Sequence, residues 1–145
     1  MRTRLLPKIL ILVGAVALLS GFTRCGHHHR PDPERVQKHI SRHVEDFIDD
    51  IDATEAQATQ IRALGQRVSD EVPDAMKQHR AFKKTLTDAW KSPAPEREGV
   101  HQALDAQSQR VTALMHRMLD VALDLHDVLT PEQRQEITSH LPEDE

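Results

Sequence analysis

The chain has 145 residues, which is enough for one domain. Aromatic residues make up only 3% of it, with no Tyr and one Trp. This composition disfavours a β-sheet and predicts an all-α fold. All 23 acidic residues follow position 25, together with 15 of the 19 Lys and Arg, so residues 26–145 carry a net charge of −8 with the ten His counted as neutral. Such a surface repels phosphate backbones, which argues against nucleic acid as a partner.

Residues 1–25 predict a signal peptide or an N-terminal membrane anchor. Arg2, Arg4 and Lys8 precede an apolar run at 9–22, whose length is typical of a signal peptide and short for a membrane span. Small residues fit a cleavage site only loosely, which leaves an uncleaved anchor open. Both alternatives predict export, to the periplasm if the source is bacterial.

The segment after the leader is a polar linker, 26–33, that contains two prolines and three consecutive histidines. His27–His29 can bind metal loosely, as any His-rich tract does. Cys25 is the single cysteine, which excludes an intramolecular disulfide. We interpret Cys25 as part of the leader, with a metal ligand or an intermolecular disulfide as the alternatives.

Two helices are predicted next. The first begins at Glu34, because apolar residues recur at steps of three and four: Val36, Ile40, Val44, Phe47, Ile48 and Ile51. The second runs from about Glu55 to Lys91, where the prolines of "SPAP" (92–95) end it. Pro73 lies inside this helix and is expected to kink or break it.

The third helix shows the clearest periodicity in the chain, a heptad seam with alternating steps of four and three: Val100, Leu104, Gln107, Val111, Leu114, Met118, Val121, Leu125 and Val128. A short loop joins it to the second helix, so the two should form an antiparallel hairpin of rods roughly 50–57 Å long. Because a thin hairpin covers only one side of each apolar stripe, we also predict a homodimer.

Two similar stretches, "ATEAQATQI" at 53–61 and "LTPEQRQEI" at 129–137, place Gln three residues after Thr. This spacing is a capping box, in which the Thr hydroxyl and the Gln side chain bind each other's backbone amides at the start of a helix. Pro131 suits the first helical position. The predicted cap residues are Thr54, Gln57, Leu129, Thr130 and Gln133. The helical domain is placed at 34–141, and an acidic tail at 142–145.

These paired boxes around a long hairpin, behind an export signal, resemble the Spy/CpxP family of periplasmic proteins, which is named for an LTxxQ motif, over about residues 33–141. The resemblance implies a bent, cradle-shaped dimer that acts as an ATP-independent chaperone, or as a stress or heavy-metal sensor that restrains a membrane sensor protein. The chain departs from the family pattern at Ala53, where Leu is usual, and in its negative charge, since client-binding members have a positive cradle.

The leading hypothesis is a chaperone that binds unfolding periplasmic proteins. Its expected client-binding residues are apolar side chains that the hairpin leaves exposed: Phe47, Phe82, Leu86 and Trp90.

The alternative is a heavy-metal sensor or buffer. His39 and His43 match the His-x-x-x-His pair that metal-sensing relatives carry on their first helix, and imidazoles four residues apart can hold one Zn, Ni or Cu ion, with Asp46 from the next turn. His116 is the candidate on a later helix, although Asp120 stands where the relatives have Met. The competing interpretation makes these histidines ordinary surface residues, with no metal required.

Motifs of catalysis are missing from the sequence. It has no Gly-rich phosphate loop, no nucleophile elbow and no His-Glu-x-x-His pair, and Cys25 lies beside the leader. We therefore predict a protein that is not an enzyme.

Overall fold

The computed structural model describes residues 32–139, which form four α-helices and no strand. The helices are α1 (Pro33–Asp50), α2 (Glu55–Lys91), α3 (Arg97–Val128) and α4 (Pro131–Thr138). The all-α prediction is confirmed. The leader with Cys25, the His27–His29 tract and the acidic tail lie outside the described residues. Within residues 32–139, no helix combines the length and apolarity that crossing a bilayer requires.

Helix α2 is the centre of the molecule and packs against α1 on one side and α3 on another. Its Arg62 donates two hydrogen bonds to Glu45 of α1, at 2.9 and 2.8 Å. Later along α2, Glu71 accepts two from Arg117 of α3, at 2.7 and 2.9 Å. Nearer its start, Arg67 pairs with Asp124 of α3. The order of the two α2–α3 pairs makes that packing antiparallel, which confirms the predicted hairpin. The packing of α1 on α2 is also antiparallel, because Gln37 of α1 contacts Ser69 whereas Glu45 contacts Arg62.

The buried core lies at one end of the hairpin, where α1, the first half of α2, the end of α3 and α4 converge. Its buried apolar residues are Val44, Phe47, Ile48, Ile51, Ala58, Ile61, Leu64, Val68, Val121 and Leu129. No described residue of α2 after Ser69 is buried, and Val121 is the single buried residue of α3. The remainder of the hairpin is a two-helix arm with little core of its own.

Gly65 permits a close approach of α1 and α2. A Cβ atom at this position would lie 2.5 Å from Cγ2 of Val44 on α1. Because Val44 is buried and its β-branched side chain is stiff, the neighbour could not move aside cheaply. The glycine therefore sets the distance between the two helices.

Helix α2 continues through Pro73, so of the two alternatives, a kink or a break, the break does not occur. A proline has no N–H to donate to the carbonyl four residues earlier, here that of Ser69. Gln37 Nε2 of α1 donates to this carbonyl at 3.1 Å instead. Since Ser69 is only 4% exposed, this tertiary hydrogen bond satisfies a backbone group that water reaches poorly.

The turn between α1 and α2 is a Schellman motif. Asp52 adopts a left-handed conformation with φ of 49°. The N–H groups of Asp52 and Ala53 donate to the carbonyls of Asp49 and Ile48 at 3.3 and 3.1 Å. This turn ends α1 and delivers the chain to Thr54, where α2 begins.

Candidate functional site

Both Thr-x-x-Gln motifs form complete capping boxes. Thr54 Oγ1 accepts from the Gln57 N–H at 3.3 Å, and Gln57 Oε1 accepts from the Thr54 N–H at 3.0 Å. In the second motif, the corresponding bonds between Thr130 and Gln133 measure 3.3 and 2.9 Å. The prediction that these residues start helices is confirmed.

The two motifs also bind each other. Gln57 Nε2 donates to Gln133 Oε1 at 2.9 Å and to the Val128 carbonyl, at the end of α3, at 3.0 Å. Gln133 Nε2 donates to the carbonyl of Ile51, which caps the end of α1, at 3.1 Å. Each glutamine therefore starts one helix and satisfies the free carbonyl at the end of another. This reciprocal arrangement explains why the chain carries the motif twice, 76 residues apart.

Residues beside the second motif close the same junction. Leu129, the first residue of "LTPEQ", is buried in the core, whereas Ala53 at the equivalent position of the first motif is only partly buried against it. The Arg134 guanidinium donates to the carbonyls of His126 and Leu129, at 3.0 and 2.6 Å, and so caps the end of α3. Sequence reasoning missed Arg134, because nothing local distinguishes it from a surface arginine.

The start of α4 also holds a carboxylate. The backbone N–H of Glu132 itself, and then the Thr130 hydroxyl, hydrogen-bond the Glu132 carboxylate and lower its pKa below the ordinary value of 4.5. The charged form is therefore favoured at the positive end of the helix dipole. As pH falls through this pKa, protonation removes that stabilisation, which is fully present above pH 4.5.

The candidate metal site is a histidine pair on α1. His39 Nε2 and His43 Nε2 lie 2.9 Å apart, and the two rings stand nearly perpendicular at 87° with their centroids 4.2 Å apart. His39 is exposed, whereas the His43 side chain is only 14% exposed. Two imidazole nitrogens bound to one divalent ion at about 2.0–2.1 Å lie roughly 3 Å apart. The pair is therefore spaced for a single ion.

The other two predicted ligands do not join this pair. Asp46 Oδ2 lies 4.0 Å from His43 Nδ1, the ring nitrogen opposite the one that faces His39, so Asp46 is not on the side of the ring where the two Nε2 atoms meet. His116 is an exposed residue of α3. Within residues 32–139, no group of three or more His, Cys, Asp or Glu side chains is arranged to hold a metal. The predicted four-residue set is thus corrected to a histidine pair, with the Asp46 carboxylate near His43.

The expected client-binding residues divide into two groups. Phe47 is 4% exposed and belongs to the core, so the expectation that it is free to contact a client is wrong. Phe47 is one of the apolar residues that recur at steps of three and four along α1, a pattern that favours burial. Phe82 is half-buried, whereas Leu86 and Trp90 are exposed on the arm, at 41% and 91%.

A family model described as heavy-metal resistance matches residues 9–136, most of the chain. The chain belongs to the heavy-metal resistance family. This membership confirms the resemblance to Spy/CpxP proteins that the paired motifs indicated. No curated protein and no solved structure gives a significant match.

Membership of the heavy-metal resistance family favours the metal alternative over the chaperone hypothesis. The His39–His43 pair gives that family description a concrete location in this chain, on the first helix beside the core.

Proposed function

We propose that the protein binds a divalent transition metal ion, Zn, Ni or Cu, through His39 and His43, as a heavy-metal sensor or buffer. The observation that supports this most directly is the 2.9 Å separation of the two Nε2 atoms. A structural zinc site is closed by four protein ligands, whereas two nitrogens leave coordination positions for water or for ligands from elsewhere. Such an open site suits an ion that binds and dissociates, rather than one held permanently as part of the fold.

The geometry of the pair also supports a proposed response to metal and to pH. In the metal-free pair, a hydrogen bond between two Nε2 atoms requires that one ring donates a proton and the other accepts it. Both nitrogens must be unprotonated to bind an ion, so the ring that donates must move its proton from Nε2 to Nδ1. Asp46 beside His43 Nδ1 favours the tautomer that leaves Nε2 available. Because protons compete with the ion for these nitrogens, metal affinity should fall as the solution becomes more acidic.

Calorimetric titration of the purified protein with Zn, Ni and Cu near pH 7 tests this proposal. The double variant His39→Ala/His43→Ala should lose the tightest site, while Asp46→Asn should weaken it by a smaller factor. The matched control is His101→Ala/His116→Ala, which removes two exposed histidines of α3 and should leave the tightest site intact. An equal loss in both double variants, or no loss in the first, would contradict the proposal.

A holding chaperone is the second candidate, because Leu86 and Trp90 expose apolar surface on the arm. A protein with this activity should suppress the aggregation of a chemically denatured client, and Leu86→Ser/Trp90→Ser should reduce the suppression. Equal aggregation with and without the protein would remove this candidate and leave the metal proposal untouched.

A further inference from the structure

The second half of α2 carries a basic surface that neither the histidine pair nor the motif junction uses. Residues 76–91 contain five Lys or Arg and one Asp, a net charge of +4, whereas the other described residues contain nine basic and nineteen acidic side chains, a net charge of −10. We call this surface the basic face; its residues, all exposed, are Lys77, Arg80, Lys83, Lys84 and Lys91. Because the net charge of the whole chain is negative, composition alone does not reveal this basic face.

Helical periodicity gathers these charges on one side. Lys77, Arg80, Lys84 and Lys91 follow one another at steps of three, four and seven, which returns each to the same side of α2. Among the described residues, the ion pairs of this face are limited to that between Lys84 and Asp88. The positive charge of the face is therefore largely uncompensated by the protein.

Trp90 borders the basic face. It lies seven residues after Lys83, two turns along the same side, and it is 91% exposed. Tryptophan is ordinarily among the more buried residues. An exposed indole next to lysines is typical of helices that lie at a membrane surface, where the ring enters the headgroup region and the ammonium groups meet lipid phosphates.

We propose that the basic face and Trp90 dock on an anionic phospholipid bilayer. Charge complementarity selects an anionic surface, and it holds the acidic core end away from that surface. An acidic polypeptide would satisfy the lysines equally well, but the protruding indole matches an interface that is both charged and apolar.

The point at which α1 begins is consistent with the basic face lying on a membrane. Gln37, near the start of α1, contacts the Ser69 carbonyl, so α1 begins on the same side of the core toward which α2 extends. From Ser69 to Trp90 the helix advances about 32 Å. The ten residues 23–32, between the apolar run and α1, span at most about 33–36 Å. An anchor at 9–22 and the basic face could therefore reach one bilayer.

Trp90 is the single tryptophan of the chain, so its fluorescence reports on this face alone, even in the full chain with its apolar leader. Vesicles of phosphatidylglycerol and phosphatidylcholine should shift the emission to the blue, and vesicles of phosphatidylcholine alone should not. Each charge near an anionic surface contributes about fivefold to binding, so Lys83→Gln/Lys91→Gln should weaken the transition roughly 25-fold. Salt near 1 M should weaken it further by screening.

The matched control is Lys38→Gln/Arg42→Gln, which removes two exposed charges from α1 and should leave the transition unchanged. Circular dichroism verifies that each variant keeps its helices. Three results would overturn the proposal: no shift with anionic vesicles, an equal shift with neutral vesicles, or equal weakening in both double variants. A comparable shift with soluble polyglutamate would overturn it as well, by identifying an acidic polypeptide as the partner.

Discussion

At the scale of single residues, the amide of glutamine is the feature that distinguishes this junction from an ordinary helix start. A capping box needs only an acceptor at its third position, so Glu and Gln serve equally there. Here the Nε2 groups of Gln57 and Gln133 also donate, to the carbonyls of Val128 and Ile51. A carboxylate could accept from the cap N–H, but it could not make these second bonds.

Replacing Gln57 by Glu should therefore destabilise the protein although it preserves the capping box. We expect a loss of about 1–3 kcal/mol, because the Val128 carbonyl loses its donor and a carboxylate faces Gln133 Oε1. Chemical denaturation measures the difference. Gln60→Glu, at an exposed position of the same helix, is the control for the charge change. Equal stability of the two variants would refute the second role of Gln57.

Gly65 gives a second prediction at this scale. The effect of replacing it by alanine on stability should change sign when Val44 is also shortened. Alanine is the better helix former by about 1 kcal/mol, yet Gly65→Ala should lower stability by roughly 1–3 kcal/mol because its methyl group meets Val44. In a Val44→Ala background, the same substitution should become neutral or stabilising. Denaturation of the four proteins of this cycle tests the contact, and a loss of similar size in both backgrounds would contradict it.

At the scale of the helices, the continuity of α2 depends on α1. Periodicity and caps predicted both ends of α2 correctly, because caps are local hydrogen bonds between residues close in sequence. The sequence left open whether Pro73 kinks this helix or breaks it. Proline shows that the Ser69 carbonyl needs another donor, but the identity of that donor, Gln37, is decided by how two helices pack.

A double-mutant cycle isolates this dependence. Gln37→Ala should cost about 1–3 kcal/mol in the native background, since it leaves the buried Ser69 carbonyl without a donor. With Pro73→Ala, the alanine N–H supplies the missing helical bond, so Gln37→Ala should then cost much less. Equal costs in both backgrounds, measured by denaturation, would show that Gln37 acts in some other way.

At the scale of the whole molecule, apolar surface and charge are both distributed unevenly. The core end is buried and acidic, whereas the arm carries the basic face and large exposed apolar residues. On the outer side of α3, Met115, Leu119 and Leu123 follow one another at steps of four and are each about half exposed. One protomer leaves this stripe without an apolar cover among residues 32–139, which supports the homodimer predicted from the sequence.

The prediction of a homodimer leads to a test at this scale. Leu119→Glu places a charge in the middle of the stripe and should shift the protein from dimer to monomer, because burying an unpaired charge is costly. Gln109→Glu, at an exposed position of the same helix, should leave the dimer intact. Sedimentation velocity across a range of concentrations measures both. A native mass that stays monomeric at every concentration would refute the homodimer.

The sequence by itself determined the helices, their caps, the antiparallel hairpin and the family. These features follow from periodicity and from contacts between near neighbours, which spacing alone reveals. Only the tertiary structure decided that the two motifs bind each other, that Gln37 replaces the hydrogen bond lost at Pro73, and that Phe47 is buried while Trp90 is not. Each of these depends on which side of one helix faces another, and that is settled when distant parts of the chain pack together.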